Sequence, residues 1–260
     1  LVVTLHGGDA YPRLGRGAGA AWNARNRRAA FEGARRLLAV SSYLADVALD
    51  AGADPKRLSV HYQGVDTHWW TPAPNTAESC EEPVVLFVGA LSRLKGVDDL
   101  ARASASLVGR RPHRLVLVGD GPLEAGLRER APAHVTFAGR LDRASVREWM
   151  RRAHLLVLPT KPTQGRQEAA GLVLLEAQAC GVPVVAYSTG GTPEMIAPGA
   201  SMLTRERSPQ SLTHAIDEAL AWSEDERADR GAQCRAWVDK ERSLRASTEQ
   251  LRAIYADLTP

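Results

Sequence analysis

Gln167-Glu168-Ala169-Ala170-Gly171-Leu172-Val173-Leu174-Leu175-Glu176-Ala177-Gln178-Ala179-Cys180-Gly181-Val182-Pro183-Val184-Val185-Ala186 is the stretch whose reading decides the fold. A polar loop gives way near Gly171 to a mainly apolar run at helical spacing. That run stops at a glycine, and the β-branched residues of 182–186 follow at once as a strand. Another short apolar run, 155–158, lies just upstream of the loop, so strand, loop, helix and strand follow one another as a βαβ unit. Working outward, the same alternation covers nearly the whole chain. Strands are expected at 2–5, 37–40, 58–62, 84–88, 114–118, 135–138, 155–158, 182–186 and 200–203, most of them followed by a turn and a helical pattern. The fold class is therefore α/β with parallel sheets.

The segment 71–83 carries Pro72, Pro74 and Pro83 and has no apolar period, so it reads as a linker. It separates residues 1–70, the C-terminal part of a first domain, from a second domain spanning 84–240. Residues 241–260 are expected to form a C-terminal helix packing back toward the first domain. The Arg/Glu mixture beyond Ser208 is most simply the solvated face of helices. The chain opens on Leu1-Val2-Val3-Thr4-Leu5, a buried-strand pattern without an initiator Met, and is therefore expected to be a fragment cut inside a domain.

Bulk properties narrow the function classes. With 260 residues, 44% hydrophobic and 24% charged, the chain has ordinary globular composition and enough length for a sizeable core. A net charge of +3 does not argue for nucleic acid as the main partner. Cys80, Cys180 and Cys234 are widely spaced with no CxxC pair, which suits a reducing compartment and gives neither a disulfide framework nor a zinc site. No apolar run approaches the ~20 residues needed to span a bilayer, so a cytoplasmic location is expected.

The chemistry concentrates around the opening stretch. Glu168 falls in the loop and Glu176 inside the helix, and five residues of helix span ~8 Å. The two carboxylates therefore bracket an amide-lined helix N-terminus, a layout that suits a long polar ligand with a diphosphate in its middle. The amides near Ala170, Gly171 and Leu172 would take the phosphates, with Gly171 allowing close approach to the backbone. Glu168 would reach a sugar on one side, and Glu176 would accept from ribose hydroxyls on the other. Alone, either acid could be a solvated surface charge, but Glu176 sits among Leu174, Leu175, Ala177 and Ala179 with no local partner. Gly190-Gly191 marks another tight loop where backbone can approach a ligand. The turn Val88-Gly89-Ala90-Leu91-Ser92-Arg93-Leu94-Lys95-Gly96 sets two cations between glycines. It is either an ordinary strand-to-helix turn with solvated cations or a phosphate clamp beside a helix N-terminus. His6, after a buried strand and before Gly7-Gly8-Asp9, would lie at the carboxyl end of a sheet, where open α/β folds bind ligands; a satisfied structural histidine is the plainer account.

Two glutamates separated by seven residues, then Ala, Gly-Val-Pro-Val-Val and Gly190-Gly191-Thr192-Pro193-Glu194, resemble the signature of glycosyltransferase family 4. Thr4-Leu5-His6-Gly7-Gly8-Asp9, Val40-Ser41-Ser42, Val60-His61-Tyr62-Gln63-Gly64-Val65-Asp66 and Val135-Thr136-Phe137-Ala138-Gly139 follow the family's order along nearly the whole chain. The resemblance implies a GT-B fold, two Rossmann-like domains facing across a cleft with the first incomplete here. It implies transfer of a sugar from a nucleotide-diphosphate sugar, with retention and without metal or cofactor, to a glycan, lipid-linked or other hydroxyl acceptor. His6 and Glu168 would be the catalytic residues, with Glu168 positioning the donor sugar. Arg93 and Lys95, with Ala170, Gly171 and Leu172, would hold the diphosphate. Glu176, Phe137 and Gly139 would hold the ribose and base, and Gly7, Gly89, Gly190 and Gly191 would form the loops around the donor.

Two departures stand out. Ala90 occupies the position where the family often has Arg, a role Arg93 would then take, and Gln63 stands where Asn is common. About the first hundred residues expected of the family are absent. A sugar-nucleotide epimerase of the same fold, or a nucleotide-sugar-binding module inactive through truncation, remain as rivals. A dinucleotide oxidoreductase is disfavoured because the GxGxxG fingerprint is missing. Arg13, Arg16, Arg25, Arg27, Arg28, Arg35 and Arg36 face a single acid, Glu32, across 13–36. They form either a solvated helix face or, with Trp22 and Phe31, a peripheral contact with an anionic membrane.

Overall fold

The computed structural model describes residues 1–11, 18–74 and 82–258. Arg13, Arg16, Cys80 and most of the expected linker lie outside them. Two parallel sheets form. In the first, β1 (Val2–Leu5), β2 (Arg36–Ala39) and β3 (Leu58–Val60) lie side by side in that order, linked by α1 (Ala18–Gly33) and α2 (Ser42–Asp50). The second sheet has the order β6-β5-β4-β7-β8-β9, from β4 (Val84–Val88), β5 (Arg114–Val118), β6 (Val135–Gly139), β7 (Leu155–Leu158), β8 (Val184–Tyr187) and β9 (Met202–Thr204). Every pair in it is parallel. β7 and β8 are buried along their whole length and β4 along all but its last residue, as strands covered on both faces must be.

The strand order fixes where ligands go. From β4 the chain runs outward through α3 (Val97–Leu107), β5, α4 (Glu124–Arg130) and β6, then returns through α5 (Arg143–Arg152) to β7 and moves the other way through α6 (Leu172–Ala179). Right-handed crossovers put α3 and α4 on one face and α5 and α6 on the other. The order reverses between β4 and β7, and the loops leaving those two strands part to opposite faces, which opens a crevice at their carboxyl ends.

α7 (Pro209–Ala221) packs on α3, and α8 (Glu224–Glu241) packs on α6. Trp69 and Trp70 pack the start of the connection between the two sheets, with Trp70 only 1% exposed. Arg235 of α8 clamps this connection by donating to the carbonyls of Thr67 (2.8 Å), Trp70 (2.5 Å) and Ala179 (2.6 Å). α9 (Leu244–Ala256) lies against the first sheet's last strand: the Ser247 carbonyl is 2.9 Å from His61 Nε2, and the Ser247 hydroxyl donates to the Tyr62 carbonyl at 2.9 Å. Among the described residues no helix is long and apolar enough to cross a membrane.

Candidate functional site

Two loops build the floor of the crevice, 89–96 after β4 and 159–171 after β7. Gly96 makes their contact possible: its φ is +67°, and a Cβ there would lie 1.9 Å from the Pro159 carbonyl oxygen. The Lys161 amide donates to the Leu94 carbonyl at 2.8 Å. The Lys161 ammonium reaches Asp98 at 3.1 Å and the buried Asp99 at 3.0 Å, in the first turn of α3. Asp99 also accepts from the Tyr187 hydroxyl at 3.2 Å, so β8 joins the same anchor. On this fixed floor Lys95 forms an ion pair with Glu168, the two side chains being 24% and 15% exposed. Thr160 donates to the same carboxylate oxygen at 3.4 Å.

Gly171 starts α6 from a left-handed conformation, φ +84°, so the glycine is required by the turn itself as well as by space above it. The amides of Ala170, Gly171 and Leu172 find no acceptor among the described residues. They are the unsatisfied donors of a helix N-terminus, backed by the positive end of its dipole. One turn further, Glu176 is half-buried and its carboxylate has no hydrogen-bond partner among the described residues. Burial raises its carboxyl to about 6, opposed by the positive charge of Arg143.

The first domain closes the crevice from the other side. Asp9 holds the turn after β1 by accepting from the His6 amide (2.9 Å) and the Gly7 amide (2.8 Å). Gly7 approaches so closely that a Cβ there would sit 3.3 Å from that of Ala169. Ser41 caps α2 by accepting from the Leu44 amide at 3.1 Å and donates its own proton to the Ala169 carbonyl at 2.6 Å. The Tyr11 hydroxyl donates to Tyr43 at 2.9 Å and lies 3.4 Å from the Gln167 carbonyl; burial raises its pKa well above the usual phenol value. Glu194 reaches across to the N-terminus of α2, accepting from the amides of Ser42 (2.7 Å) and Tyr43 (3.0 Å) and from the Tyr62 hydroxyl (2.9 Å). The loop that carries Glu168 is thus held by both domains.

The expected site residues divide accordingly. Lys95, Glu168, Ala170, Gly171 and Leu172 come together on one floor, and the His6–Gly7 turn abuts it. Phe137 goes elsewhere. Strand alternation points its ring to the α4 side, where Arg128 stacks on it at 4.5 Å, whereas α6 and Glu176 lie on the other face of the sheet. Phe137 lines a groove of about 850 Å³ between α3 and α4, together with Leu117, Leu127, Val135 and the exposed Arg93, whose side chain is unpaired among the described residues. Gly139 leaves β6 with φ +69° and open space around it, and its carbonyl accepts from the Gly119 amide at 2.8 Å.

The glycines expected in the loops around the donor pack against the chain itself. A Cβ at Gly190 would fall 2.2 Å from the Glu168 carbonyl oxygen, and one at Gly191 would fall 2.1 Å from that of Ala169. The backbone brought close at these positions is that of the 159–171 loop. Gly89 likewise packs against its neighbour: its carbonyl oxygen lies 2.0 Å from where a Cβ of Gly119 would stand. Tyr11 joins the site although it stands in none of the motifs quoted above, whereas Gln63, Ser41 and Glu194 stand in quoted motifs and gain their partners here.

The comparisons with known proteins bear on the family and the fold. A family described as Glycosyl transferases group 1 matches residues 82–221, more than half of the chain, and one described as Glycosyltransferase Family 4 matches residues 1–69. The chain belongs to the family 4, group 1 glycosyl transferases. It is 38% identical over 171 residues to D-inositol 3-phosphate glycosyltransferase 2 of Catenulispora acidiphila, covering 58% of this chain and 39% of that protein. It is 32% identical over 203 residues to a GDP-mannose-dependent monoacylated alpha-(1-6)-phosphatidylinositol monomannoside mannosyltransferase of Corynebacterium glutamicum, covering 72% and 53%. The chain thus spans about half the length of the curated relatives it matches. Among solved structures, Anabaena HepE in complex with UDP and glucose superposes with a TM-score of 0.80 at 22% identity, covering 98% of this chain and 71% of that one. Sucrose-phosphate synthase from Thermosynechococcus elongatus gives 0.81 at 24%, covering 99% and 67%. The fold of this family 4 chain is therefore GT-B, with part of its first domain present.

Proposed function

We propose that this glycosyltransferase chain carries the donor site of an enzyme that moves a sugar from a nucleotide-diphosphate sugar to a hydroxyl acceptor, with retention and without a metal ion. One observation carries the reading. Three unsatisfied amides at the start of α6 lie between the Lys95–Glu168 pair and the unpartnered Glu176, at the crevice where the strand order reverses. The diphosphate takes the amides and Lys95, whose charge does the work a divalent cation does in other transferases. Glu168 orients the sugar, and Glu176 accepts from the ribose hydroxyls. The relatives named for an inositol phosphate and a phosphatidylinositol mannoside favour a hydroxyl acceptor of that kind, an inositol phosphate or a lipid-linked glycoside of one. Trp22, 64% exposed on α1 beside the exposed Arg25 and Arg28, favours work at the cytoplasmic face of an anionic membrane.

The test is a panel of UDP- and GDP-sugars read by thermal shift on the full-length protein, followed by turnover with labelled donor. Binding stabilises by RT ln(1 + [L]/Kd), so the matching donor raises Tm and the others do not. Transfer or donor hydrolysis that Glu176→Ala abolishes supports the transferase. Release of a free sugar isomer without acceptor assigns an epimerase, and tight binding without turnover assigns a binding module.

Glu176 adds a pH signature. Ribose hydroxyls stabilise the ionised carboxylate, so its pKa falls from about 6 on donor binding and the proton leaves as the donor arrives. Affinity for the nucleotide sugar is full above that value and drops about tenfold between pH 7 and pH 5. Calorimetric titration across this range checks it, and Glu176→Gln should flatten the dependence.

A further inference from the structure

We propose that Gln63 is a positioning residue that holds His6 as an Nε2–H hydrogen-bond donor toward the crevice. The Gln63 Nε2 atom lies 3.1 Å from His6 Nδ1. An amide nitrogen can only donate, so Nδ1 must accept, and a neutral imidazole with Nδ1 accepting carries its proton on Nε2. The His6 backbone is already fixed by Asp9, so the ring's own rotation is the freedom left, and Gln63 removes it.

Gln63 is itself well placed to do this. His61, two residues before it, is buried against the Ser247 carbonyl, and a Cβ on the next residue, Gly64, would lie 2.5 Å from the Ser243 carbonyl oxygen. Val65 then exchanges backbone hydrogen bonds with the α8–α9 turn, its amide to Arg242 (2.9 Å) and its carbonyl from Leu244 (2.8 Å). The chain on both sides of Gln63 is therefore gripped by the C-terminal helices. Its side chain spans from that fixed backbone to the His6 ring of another strand end.

The chemical consequence is specific. With Nε2 already protonated and the Nδ1 lone pair engaged, the ring has no free site to take a proton from an acceptor hydroxyl. His6 instead donates to an oxygen of the bound substrate and orients it. The role in transfer rests on the function proposed above; the tautomer does not.

Long-range ¹H–¹⁵N spectra of the labelled full-length protein test it, with the His6 signals identified by their loss in His6→Gln. The wild-type ring should be the Nε2–H tautomer, and Gln63→Glu, which can only accept, should move the proton to Nδ1. An Nδ1–H ring in the wild type, or an unchanged ring population in Gln63→Leu, overturns the assignment. In kinetics, Gln63→Leu should lower kcat about tenfold with donor KM changed less than about twofold, at unchanged Tm. An unaltered kcat overturns the positioning role. Absence of turnover by the wild type with every donor overturns the transferase reading, and the spectrum alone then decides the tautomer.

Discussion

Lys95→Ala in the full-length protein should lower kcat/KM for sugar transfer by about 10²–10³-fold, the scale on which a single transition-state charge stabiliser acts. The leaving diphosphate gains negative charge as the sugar departs, and the Lys95 ammonium stands against Glu168 on the floor shared with the α6 amides. Its neighbour Arg93 is no substitute, because that side chain is exposed and lines the groove between α3 and α4. The substitution also strips the counter-ion from a carboxylate only 15% exposed, leaving it the Thr160 hydroxyl alone. The fold cost of that is modest, about 1 kcal/mol, since the pair is partly hydrated. The activity loss should therefore far exceed the change in melting temperature, and Arg93→Ala should cost only a few-fold. Steady-state kinetics with the donor chosen by the panel decides it. A Lys95→Ala enzyme within a factor of a few of the wild type would remove the diphosphate from this floor.

Gly191→Ala should be strongly destabilising. Its φ of −80° is ordinary, so the backbone is not the difficulty. The added Cβ would lie 2.1 Å from the Ala169 carbonyl oxygen and 2.9 Å from the Ser41 hydroxyl. No rotamer relieves a clash with main chain. The 159–171 loop has to move, and with it go the Gly191 amide to Glu168 carbonyl bond (2.9 Å) and the Ser41 to Ala169 bond (2.6 Å). Overpacking and two lost hydrogen bonds together cost roughly 4 kcal/mol. In a chain of this size that lowers Tm by about 10 °C. Donor binding should fail as well, because the shifted loop carries Glu168. Gly33→Ala, where the new Cβ meets nothing within 4 Å, is the matched control and should leave Tm within about 1 °C. Thermal melts of the two variants side by side check the contrast.

Much of the scaffold was legible because buried parallel strands are continuous apolar runs bounded by turns. Strands 2–5, 84–88, 114–118 and 155–158 fall where such runs stand. The strand expected from Val182 begins at Val184 for a local reason. The Val182 amide is spent closing α6 onto the Ala177 carbonyl, and Pro183 has no amide to give. The strand expected to reach Tyr62 is assigned only to Val60, although the His61 amide still bonds the Ala39 carbonyl at 2.8 Å. Glu168, Glu176 and the α6 amides were legible because one short stretch carries them all. Phe137 was not, since a strand's period of two says that neighbours face apart without saying which face meets the ligand. The partners of Gln63, Tyr11 and Glu194 were not legible for a deeper reason: each acts on a segment 57 to 156 residues away, and nothing local records the partner.

Glu194 shows what kind of hinge such distant contacts make. The joint it closes is polar and half-hydrated, a carboxylate resting on two amides and a phenol. If the lobes part, water can solvate every one of those groups, so little is lost on opening and the same bonds re-form on closing. An apolar seam of equal size would resist separation far more strongly. A joint of this chemistry would let the two lobes part and return to a single register.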